Sequence, residues 1–211
     1  SPYILTGDVQ IPENVLLTVE AGVEVNFTGD FEILVIGAIH SRGTKELPIN
    51  ITGKDSSTTL HFQEANLSFS AIKYTNFDNS EYAIRLGAVP FSKTNSGSLL
   101  INNSVITDST VYAEESGGGE LIFDKFLFVD TDFNVGGMDG WGSAITFYNG
   151  EFKNTKFSTF RQQSKMFVFD NCLIDGMKFA VNYKNQIDIR KCIVRNSSFT
   201  GSPSHLWFNI N

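Results

Sequence analysis

The side chains of this sequence best suited to chemistry are two cysteines and a spaced series of charged residues. Cys172 and Cys192 each fall three residues after an apolar residue, Phe169 and Ile189. If the chain coils with a period near that spacing, the two thiols stack in one inward column. Neighbouring coils then place their Cα atoms ~5 Å apart, within disulfide range. Two packed free thiols are the alternative, since cysteine is also a good core residue. Two thiols alone cannot close a zinc site. Asp124, Tyr148, Asp170 and Arg190 each follow the same kind of apolar residue by one position, so they form a line along an outer face. Asp170 and Arg190 are expected to meet across adjacent coils, as a surface ion pair or as part of a glycan-processing site. Asp108 and Asp130 share a second column, with Asp132 close by, and are the candidate Ca²⁺ ligands. The competing reading is that aspartate stands there for turn geometry alone.

Other reactive groups are sparse. His40, His61 and His205 have no spacing typical of a metal site or a catalytic triad. Five arginines occur, at 42, 85, 161, 190 and 195, and only Arg190 sits on a regular column near an acid. Gly117–Gly119 opens no helix, so it reads as a loop tip and not a phosphate loop. No catalytic residue and no cofactor is assigned, calcium being the one candidate.

What must position these groups is a repeat. Aligned on Leu67, Ile101, Phe123, Phe147, Phe169 and Ile189, the chain shows an apolar residue five positions on: Ile72, Ile106, Phe128, Phe152, Ile174 and Val194. Ten positions on come Phe77, Val111, Phe133, Phe157, Phe179 and Phe199. Leu99, Leu121, Ile145, Phe167 and Ile187 stand two positions before five of the anchors, an apolar-x-apolar strand signature. Seven positions after the last five anchors come Asp108, Asp130, Asn154, Gly176 and Asn196, types that tolerate a left-handed backbone. Three short strands per coil of 20–24 residues cannot bury their apolar faces alone, but stacked coils bury all three. The expectation is an all-β, right-handed parallel β-helix in one domain over 1–211, with looser coils in 1–53 and regular ones in 54–211. Insertions are expected as loops near 88–98, 114–119 and 134–143.

The same alternation leaves an outward column of Val105, Leu127, Glu151, Leu173 and Ile193, and a second of Leu100, Ile122, Thr146 and Val168. Outward aliphatic ladders call for a cover, either from the chain itself or from a partner. Val105, Leu127, Leu173 and Ile193 are therefore the candidate interaction face, self-association included.

Composition narrows the function classes. Of 211 residues 41% are hydrophobic, and 19 are Phe, while helical patterning is missing. With net charge −7 and its 16 basic residues scattered, the surface repels phosphate, which argues against nucleic acid and anionic membranes. No run reaches the ~18 apolar residues of a membrane span. A start at Ser1-Pro2-Tyr3 without Met suggests processing or trimming. Sequons at Asn26, Asn50, Asn66, Asn102 and Asn196 are candidate glycosylation sites and suggest a secreted or cell-surface chain.

The first 53 residues carry a resemblance. The runs Ser1-Pro2-Tyr3-Ile4-Leu5-Thr6-Gly7-Asp8-Val9 and Leu17-Thr18-Val19-Glu20-Ala21-Gly22-Val23-Glu24-Val25 are similar to the opening coil of extracellular parallel β-helix proteins of the pectin-lyase-like superfamily. Gly37–Ile39, Gly43-Thr44 and Pro48-Ile49-Asn50-Ile51-Thr52 continue it. Such openings also resemble β-helix segments of the Bark beetle family of adhesion proteins. The resemblance implies the fold and no particular activity. Many proteins of that fold act on acidic polysaccharides, yet the Asn-Thr-Asp, Asp-Asp and Gly-His-Gly segments of the hydrolases are absent here. The expected function is a non-catalytic extracellular structural or adhesion module that binds a protein or glycan. A polysaccharide lyase or glycoside hydrolase is one alternative, and ice binding is another, for which Thr18, Thr146 and Thr155 are too sporadic.

Overall fold

A computed structural model describes residues 2–54, 56–87, 95–113, 118–136, 144–160, 166–181, 185–201 and 206–210. It is an all-β parallel solenoid, and no α-helix occurs among the described residues. Neighbouring coils pair strand on strand, in parallel, along the whole length. The chain visits three faces in turn. The first runs from Tyr3–Leu5 through Glu24–Phe27 and Ile49–Thr52 to Leu173–Asp175 and Ile193–Arg195. The second runs from Val9–Ile11 through Glu32–Val35 and Thr58–Phe62 to Lys178–Val181 and Ser198–Gly201. The third is a nine-stranded sheet from Leu16–Glu20 to Leu206–Ile210. Thr75–Leu86 and Val105–Ala113 bend across the corner and serve the first two faces with one strand each.

Two corners set the register. Between the first and second faces the left-handed residues are Asn79, Asp108, Asp130, Asn154, Gly176 and Asn196, which is the expected turn column with one coil added. Between the third and first faces a matching column holds Tyr74, Asn103, Lys125, Asn149, Asn171 and Lys191. A left-handed residue swings its N–H along the solenoid axis. Thus Asn103, Lys125, Asn149 and Asn171 donate to the carbonyls of Asp124, Tyr148, Asp170 and Arg190 one coil on, at 3.0–3.1 Å.

Inside, the phenylalanines stack. Phe123, Phe147 and Phe169 lie face to face at 5.4 and 4.8 Å, and Phe133, Phe157, Phe179 and Phe199 follow one another at 6.1, 6.2 and 4.4 Å. Nearly all of these rings are buried, so the high Phe count is core and not a binding cage. Phe126 adds a ring at the corner, 4.4 Å from Phe128 and 4.9 Å from Phe152. It fits because the next residue in its column is Gly150, where a Cβ would run into the Phe126 ring.

Two expectations need correction. Leu67 does not open the strand column: it lies in a 3-10 turn, Leu67–Phe69, and Ile72 pairs with Ile101 while Phe77 pairs with Ile106. The partner of Val111 is accordingly Ile84, not Phe77. Leu67, Ile72 and Phe77 are all buried, so alternation alone could not fix the shift. The insertions are also shorter than expected, because Asn95–Ser98, Gly118–Gly119 and Asn134–Gly136 already belong to strands. The remainder of those segments, 88–94, 114–117 and 137–143, lies outside the described residues.

Phe157→Ala and Phe179→Ala are each expected to cost ~3–5 kcal/mol in denaturant unfolding, since each opens a gap between stacked rings. Losses below ~1 kcal/mol at both positions would contradict the stack. Gly150→Ala is expected to cost ~1–3 kcal/mol by overpacking against Phe126. Adding Phe126→Leu should return part of that loss, and strictly additive effects would show that the two sites do not touch.

Candidate functional site

On the second face, strand alternation points Ile33, Leu60, Ile84 and Val111 inward and leaves Glu32, His61, Tyr82, Arg85 and Tyr112 outside. In-register pairing stacks His61, Arg85 and Tyr112 on successive coils, and places Thr58, Tyr82 and Thr110 in the neighbouring column. The Arg85 guanidinium lies 5.5 Å from the Tyr82 ring and 5.7 Å from that of Tyr112, and the two rings are 5.3 Å apart. Cation–π attraction draws the guanidinium towards both rings. Beside it opens a cleft of about 410 Å³ lined by Asp8, Asp30, Glu32, Glu81, Tyr82 and Arg85, among others.

The cleft is acidic, but its acids are engaged. The Asp8 carboxylate accepts from the Glu32 N–H at 3.0 Å, and Glu32 Oε2 meets His61 Nδ1 at 2.8 Å. Burial raises the Tyr82 phenol above its ordinary value, and its hydrogen bond to Glu81 raises it further. Three of the four carboxylates are thus committed to holding neighbours in place, an arrangement suited to recognition. Glycoside cleavage wants instead a carboxylate pair free to exchange protons and activate water. Among the described residues no group of three or more His, Cys, Asp or Glu side chains converges on a metal-sized point.

The residues singled out in the sequence fall as follows. Asp124, Tyr148, Asp170 and Arg190 do form a continuous ladder on the third face. Arg190, however, makes its ion pair with Asp188, two residues back on its own strand, and that contact raises the guanidinium pKa. Asp188 is an outward residue that is nonetheless 2% exposed, so its charge holds Arg190 more firmly than the more distant Asp170 does. Asp108 and Asp130 occupy left-handed corner positions, and Asp132 pairs in register with Thr110 and Lys156. Turn geometry therefore accounts for the first two, and nothing in their setting adds support for calcium.

Val105, Leu127, Glu151, Leu173 and Ile193 stack in register on the first face. Ile193 is 65% exposed, and Val105, Leu127 and Leu173 are half-buried. In the other outward column Leu100 is exposed while Thr146 and Val168 are buried, so cover there comes from the chain itself. Of the sequons, Asn66 and Asn196 are exposed, and Asn26, Asn50 and Asn102 are half-buried on strands. The Asn50 and Asn102 side chains join coil-to-coil hydrogen bonds with Asn76 and Asp124. His40 contacts the Phe69 carbonyl and Arg42, and His205 lies outside the described residues. The tyrosine–arginine cleft was not visible beforehand. Its residues come from four coils of the irregular first half, and only the corrected register of Thr75–Leu86 brings them to one place.

No family model and no curated protein matches the chain. Among solved structures it aligns with a trypsin-treated variant of QnrB1, a plasmid-mediated fluoroquinolone resistance protein, at 8% identity over 92% of this chain and 91% of that one, with a TM-score of 0.29. That score is too low to carry any argument. Parallel β-solenoid is therefore the level at which the chain is classified, and no helix among the described residues is long and apolar enough to cross a membrane.

Leu173→Asp is expected to leave circular dichroism unchanged, because the side chain points outward, and to abolish any concentration-dependent light scattering that the aliphatic ladder causes. An unfolded variant would overturn the outward assignment.

Proposed function

We propose that this chain is a non-catalytic extracellular binding module whose second face holds a neutral glycan. The observation that carries the reading is the Tyr82–Arg85–Tyr112 cluster, whose Tyr82 and Arg85 line an acidic cleft. Aromatic faces suit the C–H surfaces of a sugar ring, carboxylates accept bonds from its hydroxyls, and the guanidinium donates to its oxygens. Four acids around one arginine disfavour an acidic polysaccharide, the usual substrate of enzymes with this architecture. The exposed sequons at Asn66 and Asn196, and the opening coils similar to extracellular β-helix proteins, support an outside location. Ice binding is less well supported, since Thr146 and Thr155 are both buried and build no surface grid.

Titration calorimetry against neutral oligosaccharides tests this. Binding is expected, with Tyr82→Ala and Tyr112→Ala each weakening it by ~0.5–1.5 kcal/mol. Release of new reducing ends during the incubation would instead identify a hydrolase. Absence of binding at millimolar sugar, or affinity unchanged from the parent chain in both variants, would refute the assignment.

A further inference from the structure

Two motifs stand outside the reading above, the cysteine pair and the sequons. Cys172 and Cys192 are free thiols on adjacent coils at the corner between the third and first faces, the Cys172 N–H donating to Cys192 Sγ at 3.3 Å. Both pack with the core, which accounts for them. The sequons differ from one another in setting. A glycan is carried on the asparagine Nδ2 and must clear the coils. Asn102 and Asn196 each spend that nitrogen on a carboxylate, of Asp124 and Asp175, at 2.8 Å. Asn50 accepts from Asn76 at 2.9 Å, and Asn26 is half-buried in its strand between Ile4 and Thr52. Asn66 is exposed, and among the described residues no acceptor meets its Nδ2.

The Asn66 side chain is held by its surroundings. Leu67 is buried in the core, which leaves Asn66 and Ser68 outside on either side of it. Asn66 Oδ1 accepts the Ser68 N–H at 3.2 Å and caps the 3-10 turn, while Ser68 Oγ accepts the Ser98 N–H at 3.1 Å. Gly97, at φ 72°, lies so close that a Cβ there would strike both side chains. With Oδ1 committed to the turn, Nδ2 is the end left for substitution.

Asn66 and Ser68 also stand in the wall of a cleft of about 550 Å³, which Val15, Leu16 and Phe69 line as well. Those three are 45%, 49% and 66% exposed, whereas Thr146 and Val168 further along the third face are buried. Exposed apolar groups gathered in this way call for a cover. The cleft has the volume of a small-ligand site, which is room for the first sugars of a chain tethered at its wall.

We propose that Asn66 carries an N-linked glycan and that this glycan lies over the Val15–Leu16–Phe69 shelf. The C–H face of a sugar covers the Phe69 ring, and Glu13 and Asn14, also in the cleft wall, meet hydroxyls. The donor is an oligosaccharide on a lipid diphosphate. Asn66 Nδ2 bonds to the anomeric carbon, and the bond from that carbon to the phosphate oxygen breaks. The diphosphate leaves with the electron pair, and one amide proton passes to a base on the transferase. The outside location proposed above is required for this step, and the second-face cleft is not.

The full chain is secreted from a eukaryotic host behind a signal peptide. Occupied asparagines are mapped by mass spectrometry after peptide N-glycosidase, which converts them to aspartate. Asn66 is expected to be occupied, Asn66→Gln and Ser68→Ala to lose that glycan, and Ser68→Thr to keep it. Anilinonaphthalene sulfonate, a dye for exposed apolar surface, should bind several-fold more to the folded chain lacking the Asn66 glycan. Phe69→Ser should abolish that difference. Circular dichroism checks folding, and Ser68→Ala carries the test if Asn66→Gln misfolds. A folded secreted chain with Asn66 bare would overturn the site, and dye binding unchanged by loss of the Asn66 glycan would overturn the cover. Failure of oligosaccharide binding at the second face leaves both results intact.

Discussion

Each coil of this protein is fastened to the next by backbone hydrogen bonds, and those bonds stay in register only because the chain turns at fixed points. At both corners a single residue enters the left-handed region and sends its N–H along the axis to the next coil. A residue without a left-handed tendency costs strain there, so asparagine, aspartate and glycine prevail. Once the corners are fixed, inward and outward positions follow around the whole circuit. The phenylalanine stacks, the aliphatic ladder and both clefts depend on that choice, since a slip of one residue would turn each strand inside out.

Much of this was readable from spacing. The phenylalanine columns and the corner column from Asp108 to Asn196 repeat too regularly to have another cause, and the stacking of Cys172 on Cys192 follows from the same register. The second corner was hidden because its members include Tyr74, Lys125 and Lys191, whose types carry no turn signal. Their geometry is imposed by the flanking strands instead. The long strand Thr75–Leu86 was hidden for a different reason. Its pairing with Val105–Ala113 shifts register around Ser80, Tyr82 and Ile84, so constant spacing fails in the one coil that carries Tyr82 and Arg85.

The candidate sites sit where regularity is relaxed. The tyrosine–arginine cleft lies beside that irregular strand, and the thiol corner lies beside Gly150, which follows Phe126 in its column. In a fold with a repeating interior, departures from the repeat are the places where side chains are not already spoken for by packing. Each coil touches only its neighbours, so such departures cost stability locally and leave distant coils unaffected.

The axial arrangement also gives the molecule an electrical polarity. In a solenoid, order along the chain is order along the axis. Residues 1–140 contain 19 acidic and 7 basic side chains, whereas 141–211 contain four acidic and nine basic. The net charge of −7 therefore divides unevenly along the sequence, with a large acidic excess in the first part and a small basic excess in the last. On the second face the gradient runs along single columns, from Glu32 at one end to Lys156 and Lys178 at the other. A charged partner first meets the net charge of −7, and only within the screening distance of ~8–10 Å does it feel which end it has reached. Cations are thereby favoured at the first coils, and the repulsion of anions is weakest at the last.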